Sequence, residues 1–337
     1  MIGGEFPIAV SDVLNADIRR LQTTDVYTYS SGRAALYQIL IYLNKKKNIN
    51  RILLPDYLCS SVLVPVKALN YEYDFYIIDE FLELKDDVFS KLYQNNTAVL
   101  LINYFGLQDL TKQISYIRSL DENAIIIEDD VQAYYEFKKD LNGVDFKFTS
   151  LRKTFAVPDG GLVKTLHELP KTEMPNTFGQ YKAAAALLKS MREGNFNDQI
   201  YLDLFEKGES LIDSELDCGM SQIADKLFNI VDEDRVKVRR LNNARYLLKR
   251  IEEIGIKPLL PFNEDKVPLF IPITLSNRDD VRERMFKKEI FCPIHWPPDN
   301  IAIKKGKEMS ETELSLIIDQ RYGQKEMDEI IGVLKND

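Results

Sequence analysis

The sequence predicts an α/β protein: a large domain built on a mostly parallel sheet covered by helices, followed by a smaller α+β domain. Three observations predict it. Short apolar runs recur between helix-like segments, as in "RILLP", "YDFYIID", "NTAVLLINYFG" and "AIIIEDD". These runs are apolar on both sides, which suits strands buried beneath helices on both faces of a doubly wound sheet. From about Tyr181 the pattern shifts to long charged helices, so a second unit follows the first. At 337 residues the chain is too long for one small core. The expected division is 1–215 for the large domain and 216–337 for the small one.

The elements follow in order. Ser30–Lys47, "SSGRAALYQILIYLNKKK", reads as a helix, with Ser31 as N-cap and Ala34, Ala35, Leu36 and Ile39 near helical spacing. Arg51–Pro55 is a short buried strand, Ser60–Leu69 an amphipathic helix and Tyr73–Asp79 a strand. Asn96–Gly106 and Ala124–Asp130 are further apolar strands. In the second part Val231–Gly255 reads as a long charged helix and "VPLFIPITL" (Val267–Leu275) as a strand. No internal repeat or low-complexity tract interrupts the chain.

Composition excludes several classes. Hydrophobic residues make up 45% and charged residues 29%, ordinary for a soluble globular protein. No apolar run reaches the ~18 residues of a membrane span. The start, "MIGGEFPIAVSDV", lacks a basic region followed by an apolar core, so no signal peptide is expected. Three scattered cysteines, Cys59, Cys218 and Cys292, offer neither a disulfide framework nor a CxxC site, and a reducing cytoplasm is expected. Two histidines rule out a histidine-rich metal site, and no metal is expected. The net charge of −9 argues against a nucleic-acid partner.

Three motifs carry chemistry. In "FTSLRKTFAVPDGG" Lys153 follows Ser150 by three positions and precedes the turn at Gly160-Gly161. By itself this fits a solvated lysine better. In "IIIEDDVQA" Glu128, Asp129 and Asp130 fall where a buried strand ends, the place where open α/β sheets bind ligands. A hydrated acidic turn is the plainer reading of that stretch alone. In "SSGRAAL" Gly32 allows close backbone approach, and the free N–H groups of the helix start suit a phosphate. A plain capped helix is the plainer reading of that stretch alone.

Taken together, the three describe one ligand. A lysine makes an imine, an aspartate pairs with a pyridinium nitrogen and a helix N-terminus holds a phosphate, which are the protein handles of pyridoxal 5′-phosphate. At this point the chain resembles the DegT/DnrJ/EryC1/StrS family of pyridoxal-phosphate-dependent aminotransferases, which have the fold-type-I architecture. The resemblance rests on "SSGRAAL", "ILLPDYLCSSVLVPVKALNYEYDFYIID", "NYFG", "IEDDVQA" and "SLRKTFAVPDGG", in the family's order, over roughly residues 25 to 163. "ELSLIIDQRYGQKEM" (Glu313–Met327) is similar to the family's C-terminal region more loosely.

The resemblance implies that Lys153 forms the Schiff base with the cofactor, that Asp129 faces the ring nitrogen and that Gln132 lies by the phenolic oxygen. The amides of Gly32 and Arg33, with Ser150, would hold the phosphate. Two departures stand out. Many relatives stack an aromatic residue on the ring where this chain has Cys59, and Tyr57 is the nearby candidate for that role. A Gly-x-Asn-x-Arg stretch that serves the partner subunit in many relatives is replaced by "NTFGQYKAAAALLKSM" (Asn176–Met191). For substrate, His295 in "CPIHWPP" and Arg321 in "DQRYG" are candidates, Arg321 because guanidinium matches a carboxylate.

The implied activity moves an amino group from an amino-acid donor, glutamate being the family's usual one, to a keto-sugar, nucleotide-linked in some relatives, in polysaccharide or secondary-metabolite biosynthesis. A homodimer with shared sites, small-molecule substrates and a cytoplasmic location are expected with it. The alternatives are a deoxygenating dehydratase, which has histidine in place of this lysine in the family, and a non-catalytic regulatory relative.

Overall fold

A computed structural model describes residues 1–15, 25–172, 174–191, 198–297 and 304–335. Its strands are β1 (Ile2–Gly3), β2 (Val26–Tyr29), β3 (Arg51–Pro55), β4 (Glu72–Tyr76), β5 (Thr97–Ile102), β6 (Ile125–Asp129), β7 (Phe146–Ser150), β8 (Gly161–Lys164), β9 (Phe270–Thr274), β10 (Ile290–Phe291) and β11 (Glu313–Ile317). Among the described residues, β2 to β8 form one seven-stranded sheet in the order β2-β8-β7-β6-β5-β3-β4. β3 through β7 pair in parallel, while β8 runs antiparallel to both β2 and β7. The sheet is therefore the mostly parallel one expected from the sequence.

The burial of its strands explains why they read as continuous apolar runs. All six residues of β5 are buried, as are four of five in β6. β4, at the edge, instead alternates between exposed and covered positions. It also ends at Tyr76, short of the expected Asp79, because the Ile78 N–H donates to the Asp56 carboxylate at 3.0 Å rather than to a ladder. The run expected as a strand to Gly106 stops at Ile102 and turns. Phe105 sits at φ 59° and Gly106 at φ 73°, and a Cβ on Gly106 would lie 2.8 Å from the Gln132 carbonyl.

The helix Gly32–Lys47 begins as the sequence indicates, with Ser31 Oγ accepting from the Ala34 N–H at 3.1 Å. It ends at Asn48 in the left-handed region, after Lys45, Lys46 and Lys47. Its start is pressed onto the sheet at Gly161, where a Cβ would come within 2.0 Å of the Ser31 carbonyl. That contact fixes the helix N-terminus beside the end of β7.

The C-terminal unit is built on the antiparallel pair β9–β11, in register Leu314↔Ile273 and Leu316↔Ile271. Leu247, Ile251, Val281, Met285, Ile330 and Ile331 cover it from three helices. The expected strand Val267–Leu275 is thus the shorter Phe270–Thr274, and Val231–Gly255 is the helix Glu233–Glu252, capped by the Asp232 side chain. β1 joins this unit by pairing in parallel with β10, Ile2 opposite Ile290. Among the described residues no helix is long and apolar enough to cross a membrane.

Candidate active site

The parallel strands β6 and β7 end together, with Asp129 opposite Phe148 and Ser150 two residues on. Ser150 then opens a single helical turn, Leu151–Thr154, which carries Lys153. On the other side Gly161 pairs with Ser150, and the Gly160 N–H donates to the Ser30 carbonyl at 2.7 Å. This brings the start of the helix Gly32–Lys47 to the same sheet end. The result is a cavity of ≈410 Å³ whose wall includes Gly32, Arg33, Asp129, Gln132, Ser150, Lys153 and His295. Seven of the nine residues singled out from the sequence therefore meet in one place, at the carboxyl ends of the parallel strands.

Several polar groups in this wall have an incomplete set of partners. Asp129 is 6% exposed, and its Oδ1 accepts only the Val131 N–H, at 2.9 Å. Among the described residues no basic side chain pairs with it. Burial first, then the neighbouring Glu128, pushes its carboxyl up to about 7. Gln132 Oε1 accepts from the Phe105 N–H at 2.9 Å. Only the oxygen of an amide can accept, so the Nε2 end is the one left for a ligand. Ser150 Oγ caps no backbone N–H. The first-turn amides of Gly32 and Arg33 lack an intrahelical acceptor, as helix starts must. Lys153 makes no ion pair among the described residues.

Asp130 is placed differently from its neighbour. It is fully buried, lies outside the cavity wall, and packs beside Glu128 and the buried Lys147. Burial and the adjacent Glu128 carry its carboxyl well above the usual range. The alternation of the strand sends Asp129 and Asp130 to opposite faces.

Arg33, although in the wall, directs its side chain to Asp213, with Nε 3.1 Å from Oδ1. His295 is held by a buried acid. Its N–H donates to Glu313 Oε2 at 2.6 Å, and Ser315 Oγ donates to Glu313 Oε1. With that hydroxyl hydrogen spent, the 3.0 Å contact between His295 Nδ1 and Ser315 Oγ requires a hydrogen on Nδ1.

The structure does not bring Tyr57 or Arg321 into this wall. Tyr57 is fully buried. Its hydroxyl donates to the His295 carbonyl at 2.6 Å, and its ring packs on Tyr104 and Trp296. Cys59 and Trp296 line the cavity instead. Arg321 lies in an adjoining cavity, where its Nε and Nη2 donate to Asp319 at 2.9 and 2.7 Å, so its fork is already filled. Residues 292–297, which carry His295 and Trp296, have no regular structure, and Pro298 lies outside the described residues.

The sequence reading missed two wall residues of opposite charge. Arg152 donates to Glu209 at 2.8 Å, and Glu209 also pairs with Lys182. Burial opposes its charge, yet Arg152 and Lys182 hold the Glu209 carboxyl well below the usual range. Glu209 lies more than fifty positions from Lys153 within a charged helix, and no local pattern marks it.

No family model matches the chain, and no curated protein matches it by sequence. Solved structures do match by shape, and the class they define is the fold of the fold-type-I pyridoxal-phosphate-dependent transferases. Sugar aminotransferase CalS13 from Micromonospora echinospora is 14% identical, with each chain covered over 100% of its length at a TM-score of 0.69. A DegT DnrJ EryC1 StrS aminotransferase from Brucella abortus is 16% identical, with 92% of this chain and 85% of that one covered at 0.63. NtdA from Bacillus subtilis, with bound cofactor PMP, is 15% identical over 92% of this chain and 72% of that chain, also at 0.63.

Proposed function

We propose that the protein is a pyridoxal-phosphate-dependent aminotransferase that moves nitrogen from an amino acid, glutamate by preference, to a keto-sugar. The observation that carries this reading is the buried Asp129 carboxylate, without a cationic partner, in the same wall as the free amine of Lys153. A carboxylate so placed is costly unless a cation meets it, and a pyridinium nitrogen is such a cation. The remaining open groups fit the same ligand. The Gly32 and Arg33 amides with the Ser150 hydroxyl suit a phosphate, and the Gln132 Nε2 donor suits a phenolate oxygen.

When bound, the cofactor supplies a carbonyl carbon for amines and a ring that accepts electrons. The chain supplies the rest. The Lys153 amine would hold the cofactor and, once free, would take and return the proton at the donor's Cα. Asp129, ionised, keeps the ring nitrogen protonated. Tyr57 and Trp296 support the His295 segment against the cavity, and His295 is in position to contact the acceptor.

We further propose the domain division at 215/216 and a homodimer with shared sites. Much of the apolar content of the helix Phe178–Ser190, including Phe178, Ala183, Ala185 and Ala186, is buried within the chain itself. The dimer contact then falls to the exposed Met174, Met191, Ile200 and Leu202. Light scattering over a dilution series, in parallel with activity, tests it; a fully active monomer refutes shared sites.

The function is tested by incubating the cofactor-loaded protein with glutamate, then with candidate keto-sugars, and measuring 2-oxoglutarate and amino-sugar by mass. Release of one equivalent of 2-oxoglutarate without any sugar is expected. A protein that binds the cofactor and releases none is not an aminotransferase for this donor.

A further inference from the structure

The acid beneath His295 is fully enclosed. Glu313 opens β11 and, like Ser315, is 0% exposed. The alternation of the strand puts both side chains on one face. Together they hold the segment that carries His295. Glu313 Oε2 accepts the His295 backbone N–H at 2.6 Å, and the Ser315 N–H donates to the Pro293 carbonyl at 3.0 Å. Ser315 Oγ donates to Glu313 Oε1 at 2.5 Å and stands 3.0 Å from His295 Nδ1. Among the described residues no lysine or arginine lies within ion-pairing distance of this carboxylate, and His295 Nδ1 is 3.7 Å from Oε1.

A buried carboxylate is costly unless each oxygen keeps a donor. Oε1 depends on the Ser315 hydroxyl, so that hydroxyl cannot turn its hydrogen to His295. Nδ1 must then be the donor, and a neutral ring with its proton on Nδ1 has a bare lone pair on Nε2. Phe105 and Phe270 fix the ring, with centroids 5.5 and 5.4 Å away, and it stands in the same cavity wall as Lys153. Among the described residues Nε2 has no hydrogen-bond partner. A lone pair in that wall repels carbonyl and carboxylate oxygens and calls for an O–H or N–H donor. A plain 2-oxo acid brings none beside its carbonyl, whereas a hydroxylated ketone does.

We propose that Glu313 is a positioning residue: through Ser315 it keeps the His295 proton on Nδ1, and the bare Nε2 accepts a hydrogen bond from a hydroxyl of the carbonyl substrate. The substrate's identity rests on the aminotransferase reading; the relay does not. The amino-acid donor's ammonium offers the same kind of hydrogen, so the test separates the two sources. The chain has only two histidines, and His167→Gln leaves His295 as the single ring to read. Cofactor-loaded protein with nitrogen-labelled histidine is followed by NMR at about pH 8, above the usual imidazole range. A neutral ring protonated on Nδ1 is expected. Uridine diphosphate glucose or thymidine diphosphate glucose, which carry hydroxyls and no ketone, is expected to shift the Nε2 resonance as an accepted hydrogen bond does. α-Methylglutamate, which keeps the ammonium and lacks a Cα proton, is expected to leave it in place.

Glu313→Gln keeps the shape of the side chain. Its amide must turn the oxygen to the His295 N–H and the nitrogen to Ser315, which reverses the hydroxyl and moves the ring proton to Nε2. Affinity for the sugar nucleotide should fall about 2- to 10-fold, the worth of one neutral hydrogen bond. A purely structural role would leave the tautomer alone, so a proton that stays on Nδ1 in this variant overturns the proposal. Should the variant not fold, the unaltered protein decides. A proton on Nε2 or on both nitrogens overturns the proposal, as does an Nε2 resonance that neither sugar nucleotide moves or that α-methylglutamate moves. The two readings fail separately. Amino transfer by a protein with Nε2 protonated removes the relay and leaves the aminotransferase. An Nδ1 proton with a sugar-nucleotide response, in a protein that transfers nothing, upholds the site.

Discussion

Asp129 and Asp319 are both 6% exposed, one at the end of the large sheet and one in the C-terminal unit. Their surroundings are opposite. Asp319 receives the backbone N–H and two guanidinium N–H groups of Arg321, whose side chain also reaches the carbonyls of Gly3, Gly4 and Glu5. Asp129 receives one backbone N–H. Asp319 and Arg321 satisfy one another, whereas the sheet end leaves a carboxylate, an amine, an amide and a hydroxyl open. Burial alone does not mark a binding site; an unfinished set of partners facing a cavity does.

The comparison breaks most forcefully at Lys153. In Lys153→Ala amino transfer should fall at least about 100- to 10,000-fold, the usual worth of a positioned acid–base group. Borohydride reduction of the unaltered protein followed by peptide mapping should place the cofactor on Lys153, and recovery on another lysine would refute the assignment. Next is Asp129→Asn, which should keep the fold and slow transfer about 10- to 1,000-fold, corresponding to a loss of 1–3 pKa units at the ring nitrogen. Normal turnover would move the role away from Asp129, and Asp130 would be tested next.

On the satisfied side, Asp319→Ala strands Arg321 and should lower unfolding free energy by about 2 kcal/mol, less than a wholly buried pair because Arg321 retains 20% side-chain exposure. Urea denaturation reads this, and an unchanged midpoint would mean that the pair contributes nothing.

The smallest effect is a pH slope. The Asp129 carboxyl is raised from 3.8 to about 7 and that of Asp159 to about 6, each chiefly by burial. A raised carboxyl contributes stability below its unfolded pKa, and that contribution is lost as pH climbs to the folded value. Without cofactor, stability should therefore decline from about pH 4 toward 7, at about 1.4 kcal/mol per unit for each such group. Between pH 6 and 7 the slope should be shared by Asp129 and Asp130, whose carboxyl is also raised, and should lessen in Asp129→Asn. Persistence of the full slope in that variant would show that its carboxyl is not raised.

The same contrast explains what could be read from the sequence. β3, β5 and β6 were legible because burial on both faces leaves them uniformly apolar. β7 and β8 were not, since Lys147, Thr149 and Ser150 interrupt the pattern; Lys147 is tolerated inside because Glu128 stands 3.4 Å away and the Glu136 carbonyl accepts from its amine at 3.2 Å. The open groups Asp129, Gln132, Ser150 and Lys153 were legible because they lie in two short stretches at strand ends. Glu209 was not, because it sits in a charged helix among other acidic and basic residues, and only the packed chain shows that it meets Arg152 and Lys182. Arg321 was singled out for its chemistry, and nothing in "DQRYG" reveals that the aspartate two positions earlier already fills its fork.

The pairing of β1 with β10 has a consequence for how the protein is made. Ile2 finds its partner strand at Ile290, and its N–H donates to the Glu289 carbonyl at 2.8 Å. At translation speeds of about 5–20 residues per second, Ile290 is synthesised roughly 15 to 60 s after Ile2. Contacts so distant along the chain are slow to form, since the closure entropy of the whole intervening length precedes any gain. The first strand emerges early and docks late, so a ribosome paused anywhere before residue 290 holds a chain whose opening segment has no partner to pair with.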